Sequence, residues 1–119
     1  MDELEGRDQL ALALAPLAVH FLQRTRLEAA VLSELIACEH IGDPIVIDKL
    51  EHMAHKIHGS GAIFGFSAVS ESAGEIELLV ACLKARDVSQ ETAIGPQMLR
   101  RLRKCARRLT QEVEAASAR

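Results

Sequence analysis

The chain has 119 residues, 49% of them hydrophobic, with no Trp, no Tyr and three Phe, so one domain with a Leu, Ile, Val and Ala core favours helix on helix over sheet. Its net charge of −3 is too near neutral for a general nucleic-acid binder, and the three cysteines (Cys38, Cys82, Cys105) show neither CxxC spacing nor an even number. No apolar run approaches the roughly 20 residues that span a bilayer, and four acids in the first eight residues are wrong for a signal peptide, so a reduced, soluble, cytoplasmic domain over 1–119 is expected.

From about Arg7 to Glu39 apolar residues recur at helical spacing: Leu10, Leu14, Leu17 and Phe21, then Leu27, Val31 and Leu35. Pro16 interrupts them, which predicts either a short extra N-terminal helix or a kink. Within "HIGDPIVI", Gly42 suits a helix end, Asp43 an N-cap and Pro44 a first helical position. A second helix should run from Pro44 to about Ile63 and end at Gly65. Ser67 would cap a third, with Glu71 in its first turn, reaching about Arg86. "RDVSQETAIGP" reads as a turn, and Pro96 opens a last helix to about Ala116. Short connections make these an antiparallel four-helix bundle, an all-α fold.

The second helix carries the chemistry. At about 100° per residue, Leu50, Met53, Ala54, Ile57 and Gly61 form one stripe, joined by Val46 and Phe64. His55 points about 150° from the centre of that stripe, with Asp48, His52 and Gly59 on the same outer face and His58 nearer its edge. Gly59 lies one turn past His55, where glycine costs about 1 kcal/mol against alanine. An exposed imidazole above bare helix is a surface shaped for docking, and Ser60 and Ala62 extend it.

The stretch His55-Lys56-Ile57-His58-Gly59-Ser60-Gly61, with Gly65 and the later Glu77-Leu78-Leu79, resembles the histidine-containing phosphotransfer (HPt) domain, above all the form found in chemotaxis-type histidine kinases. The helix "FLQRTRLEAAVLSELIA" before it fits the same four-helix plan. The resemblance implies that His55 is the phosphorylated histidine, that Gly59 opens the docking surface and that Glu77 hydrogen-bonds the imidazole Nδ1. Where the family usually has Lys, this chain has His58, which leaves phosphoryl stabilisation to His58 and Lys56. The implied function is a phosphorelay carrier that exchanges its phosphoryl group with the aspartate of a response-regulator receiver domain, fed directly or indirectly by a histidine kinase.

A carboxylate on Nδ1–H would hold the tautomer that presents Nε2 as nucleophile. No P-loop or Gly-rich nucleotide motif occurs, so this phosphocarrier is expected to have no kinase domain or ATP site of its own, and no cofactor; Mg²⁺ would come with the receiver. A zinc site on His52, His55 and His58 with Glu51 fits poorly, because the outer two imidazoles diverge by about 120° round the helix. "RRLRKCARRL" in the last helix holds no aromatic residue for base stacking, so its arginines read as a solvated face able to steer an acidic receiver. The expected protein is a monomer that binds neither nucleic acid nor membrane. The alternative is a helical adaptor of the same fold that has lost transfer.

Overall fold

A computed structural model describes residues 3–38, 41–85 and 95–118, with side chains given for all of these except 3–5, 7, 8 and 11. Four helices account for it: α1 (Glu3–Ala37), α2 (Pro44–Ile63), α3 (Ser67–Ala85) and α4 (Pro96–Ser117). Among the described residues there is no strand, and consecutive helices run antiparallel. The expected bundle is the one found.

Local chemistry places the helix ends. Asp43 is extended (φ −64°, ψ 130°), its side chain accepts a hydrogen bond from Ile45 N, and Pro44 follows at the first helical position. At the other end of α2, Gly65 takes φ +80°, a conformation that favours glycine. Around it Gly65 N donates to Ala62 O at 3.2 Å and Phe66 N to Gly61 O at 2.8 Å, a Schellman turn that reverses the chain directly into α3. Phe21 of α1 closes this end, its ring 5.3 Å from Phe64 and 5.8 Å from Phe66.

The core is aliphatic. Leu32 and Ile36 from α1, Leu50 and Ile57 from α2, Ile76 and Val80 from α3, and Leu102 and Leu109 from α4 are all fully buried. Burial of such side chains contributes roughly 1.5–3 kcal/mol each. On α2 the stripe also takes in Ile47, while Val46, Met53 and Phe64 are half-buried at its margins. At the rim Arg26 grips Glu114 through two bonds of 2.8 and 2.7 Å, tying α1 to the end of α4.

Three sequence expectations need correction. Of the two outcomes expected at Pro16, a short extra helix or a kink, the separate helix is the one excluded among the described residues, since α1 continues through Pro16. Leu27 and Val31 are exposed, and α1 packs instead through Phe21, Thr25, Ala29, Leu32 and Ile36. That series keeps strict three- and four-residue steps, whereas the step from Phe21 to Leu27 slips the phase. Ser67 is the first helical residue of α3 rather than its cap: Phe66 O accepts the first bond, from Ser70 N, and Glu71 falls beyond the first turn. The "RDVSQETAIGP" turn lies, but for its last residues Gly95 and Pro96, outside the described residues, as does the expected end of α1 at Glu39.

Candidate functional site

His55 sits midway along α2 on the face turned from the core, and its side chain is 73% exposed. Glu77 projects from the middle of α3, one position from the buried Ile76, and reaches across the helix pair. Its Oε1 lies 2.8 Å from His55 Nδ1. An ionised carboxylate can only accept, so Nδ1–H is the donor and the lone pair is on Nε2, which points away from that bond. Glu77 is itself 29% exposed, well placed to hold one ring nitrogen without covering the other.

Gly59 is exposed one turn along, and a Cβ built on it would meet nothing within 4 Å. His52 and Ala62 are exposed on the same side of α2 and Ser60 is half-buried. Ile63, which the sequence reading passed over, completes this surface with 73% of its area exposed one turn beyond Gly59. Its signal was present: an isoleucine off the core stripe of an amphipathic helix. At the far edge of the surface Lys84 Nζ bonds both Asp48 Oδ1 (2.7 Å) and Glu51 Oε1 (2.8 Å), bracing α3 against α2. Those bonds hold the Lys84 ammonium above its ordinary pKa.

The two residues expected to stabilise a phosphoryl group face different ways. Lys56 turns towards α1, its Nζ 3.4 Å from Glu28 Oε1, which also lies 3.5 Å from Arg24. His58 turns towards α3. Its Nδ1 is 2.8 Å from Ser70 O and 3.1 Å from Ser70 Oγ, and that hydroxyl donates to His58 O at 2.7 Å. These partners put the proton on Nδ1 and the lone pair on Nε2. Packing is tight here, because a Cβ on Gly74 would stand 2.9 Å from His58 Nδ1, and one on Gly61 3.2 Å from Ser70 N. His58 is thus a cross-brace one turn from His55, a role invisible in the sequence because the signal, Ser70 with the small Gly74 beside it, lies on another helix.

Among the described residues no cluster of three or more His, Cys, Asp or Glu could hold a metal ion, and none of the helices is long and apolar enough to cross a membrane. Comparison with curated proteins and with solved structures gives no match. Comparison with family models gives one that covers most of the chain, the Hpt domain, over residues 16–119. Members of that family act in histidine phosphotransfer and interact with histidine kinases and response regulators. With four antiparallel helices and an exposed histidine on the second, this chain belongs to the Hpt domain family.

Proposed function

We propose that the protein is a phosphorelay intermediate in which His55 accepts a phosphoryl group and exchanges it with the aspartate of a response-regulator receiver domain. The observation that carries this reading is the 2.8 Å bond from His55 Nδ1 to Glu77 on a ring otherwise open to solvent. In the forward step the Nε2 lone pair attacks the phosphorus of an aspartyl phosphate in line. The N–P bond forms as the acyl O–P bond breaks, and the aspartate leaves as carboxylate. The ring becomes cationic with its proton still on Nδ1, and the Glu77 carboxylate offsets that charge. Transfer outward is the same step reversed.

Gly59, Ala62, Ser60, His52 and Ile63 form the surface on which the receiver docks. Lys56 and His58 lie on opposite flanks of His55: Lys56, beside Glu28, brings charge towards the phosphoryl oxygens, and His58, its Nδ1–H given to Ser70 O, braces α2 against α3 beneath the site. Mg²⁺ enters with the receiver, whose acidic pocket holds it. The test is to mix the protein with a phosphorylated receiver and follow the label. His55→Gln should abolish acceptance with the fold retained, His52→Gln should change little, and the label on wild type should be acid-labile and alkali-stable. Label persisting on His55→Gln would refute the assignment, and a folded wild type that binds receivers without ever taking label would make it an adaptor.

A further inference from the structure

Away from the histidine face, α4 carries charge of one sign only. From Pro96 to Gln111 it holds no Asp or Glu, yet Arg100, Arg101, Arg103, Lys104, Arg107 and Arg108 all fall there. Arg100 and Lys104, Arg103 and Arg107, and Lys104 and Arg108 stand four residues apart, a spacing at which like charges destabilise a helix. Among the described residues only Arg108 of the six has an ionic partner, Glu75 at 2.8 Å and Glu71 at 3.9 Å. A merely solvated helix face gains from mixed signs, and this one forgoes that gain.

The cations border a trough of about 760 Å³ between α3 and α4. Its α3 wall is apolar: Leu78 is 69% exposed, Cys82 one turn on is exposed, and Leu79 is half-buried between them. Its α4 wall is basic, through Arg101, Lys104 and Arg107, and the one acid of its lining, Glu75, is already held by Arg108. The two walls are level. Cys105 Sγ lies 3.5 Å from Glu75 Oε2, so in antiparallel helices Leu79 comes level with about Arg101, and Lys104 lies less than a turn from it. A second hollow, at Gly95 and Gln97, shares Arg101 and Lys104, so the trough follows α4 for about 24 Å from Gln111 to Gly95. It opens away from the histidine, since Cys82 stands about 140° round α3 from Glu77.

A trough several helical turns long, apolar on one wall and cationic on the other, complements a helix that sets an apolar ridge against α3 and carboxylates against α4. Nucleic acid fits it less well, because the lining has no aromatic side chain for base stacking and the leucines meet nothing on a phosphate backbone. We propose that the α3–α4 trough docks an acidic amphipathic helix of a partner protein, on a surface separate from the His55 face. The basic stripe of α4 is then a binding wall, where the sequence alone reads a solvated face.

Fluorescence anisotropy on the full chain tests this with a labelled synthetic peptide of about 16 residues, leucines along one helical face and glutamates beside them. The wild type should bind it with a Kd on the order of tens of micromolar. Arg101→Glu/Lys104→Glu and Leu78→Glu, all at exposed positions, should each weaken binding at least about tenfold with helicity retained by circular dichroism. A scrambled peptide of the same composition, and one with lysine for glutamate, should bind at least about tenfold more weakly. No binding at about 1 mM, equal binding of the scrambled peptide, or unchanged binding by Leu78→Glu overturns the proposal. So does a DNA duplex or a phosphatidylglycerol vesicle bound through Arg101 and Lys104 more tightly than the peptide, which would make α4 a general polyanion surface. Peptide binding needs no transfer chemistry, so its failure would leave the assignment of His55 standing.

Discussion

Glycine at position 59 lets folding and docking be separated by one substitution. The residue is exposed in the interior of α2, and an added Cβ meets nothing within 4 Å. Helix propensity therefore acts alone, and Gly59→Ala should raise stability by about 1 kcal/mol. For 119 residues at about 2.1 cal/mol/K each, the entropy of unfolding is about 250 cal/mol/K, so Tm should rise by about 4 °C. Leucine is nearly as good a helix former, and Gly59→Leu should be comparably stabilised. Its side chain, however, would stand on the surface proposed to dock the receiver beside His55, and phosphoryl transfer from a receiver should fall at least about tenfold. Gly61→Ala is the control on the same helix: its Cβ would come within 3.2 Å of Ser70 N and Cβ, and the crowding should outweigh the propensity gain for a net loss of about 1 kcal/mol. Thermal denaturation and a receiver-transfer assay on the three variants suffice. A lower Tm for Gly59→Ala, or transfer at the wild-type rate by Gly59→Leu, would refute the reasoning.

Ile57, 1% exposed, should cost about 2–4 kcal/mol when replaced by alanine in urea denaturation, and a loss below about 0.5 kcal/mol would mean that the site collapses without a cavity. Glu77→Gln keeps an acceptor near Nδ1 but removes the charge that offsets the phosphorylated ring, so transfer should slow about tenfold or more while the fold persists; an unchanged rate would show that orientation alone matters. His58→Lys should hold or raise the transfer rate by placing a fixed cation beside the phosphoryl group, yet lower stability by about 1 kcal/mol as the bonds from Nδ1 to Ser70 are lost. Equal stability would mean that the brace contributes nothing.

Much of the bundle was legible because its punctuation is local. Asp43-Pro44, Gly65 and Pro96 mark helix ends through their own backbone chemistry, and the stripe Leu50, Ala54, Ile57 and Gly61 needs only the helical period. The α1 face was misread where packing uses small or polar residues: Thr25 and Ala29 are buried while the larger Leu27 and Val31 are not. Residue size carries no information there, because what closes against them is on other helices. The same limit applied at the site. A helical wheel and the family pattern gave the outward face of His55 and the partner on α3, but not the directions of Lys56 and His58. Glu28 and Ser70 set those from 28 and 12 residues away.

The Schellman turn at Gly65 also bears on the order of assembly. His55, Glu77, His58 and Ser70 all belong to one helical hairpin closed by a three-residue reversal, so the pairing of the His55 imidazole with the Glu77 carboxylate spans only 22 residues of chain. Closing so short a loop costs little entropy, and such local contacts form early in folding. The contacts of α1 with α4, typified by Arg26 and Glu114 at a separation of 88 residues, must wait for the chain to double back. Kinetically, lesions in the hairpin such as Ile57→Ala should slow folding, whereas Leu32→Ala in α1 should chiefly hasten unfolding. The reactive geometry would then be among the first parts of the protein to appear and the last to dissolve.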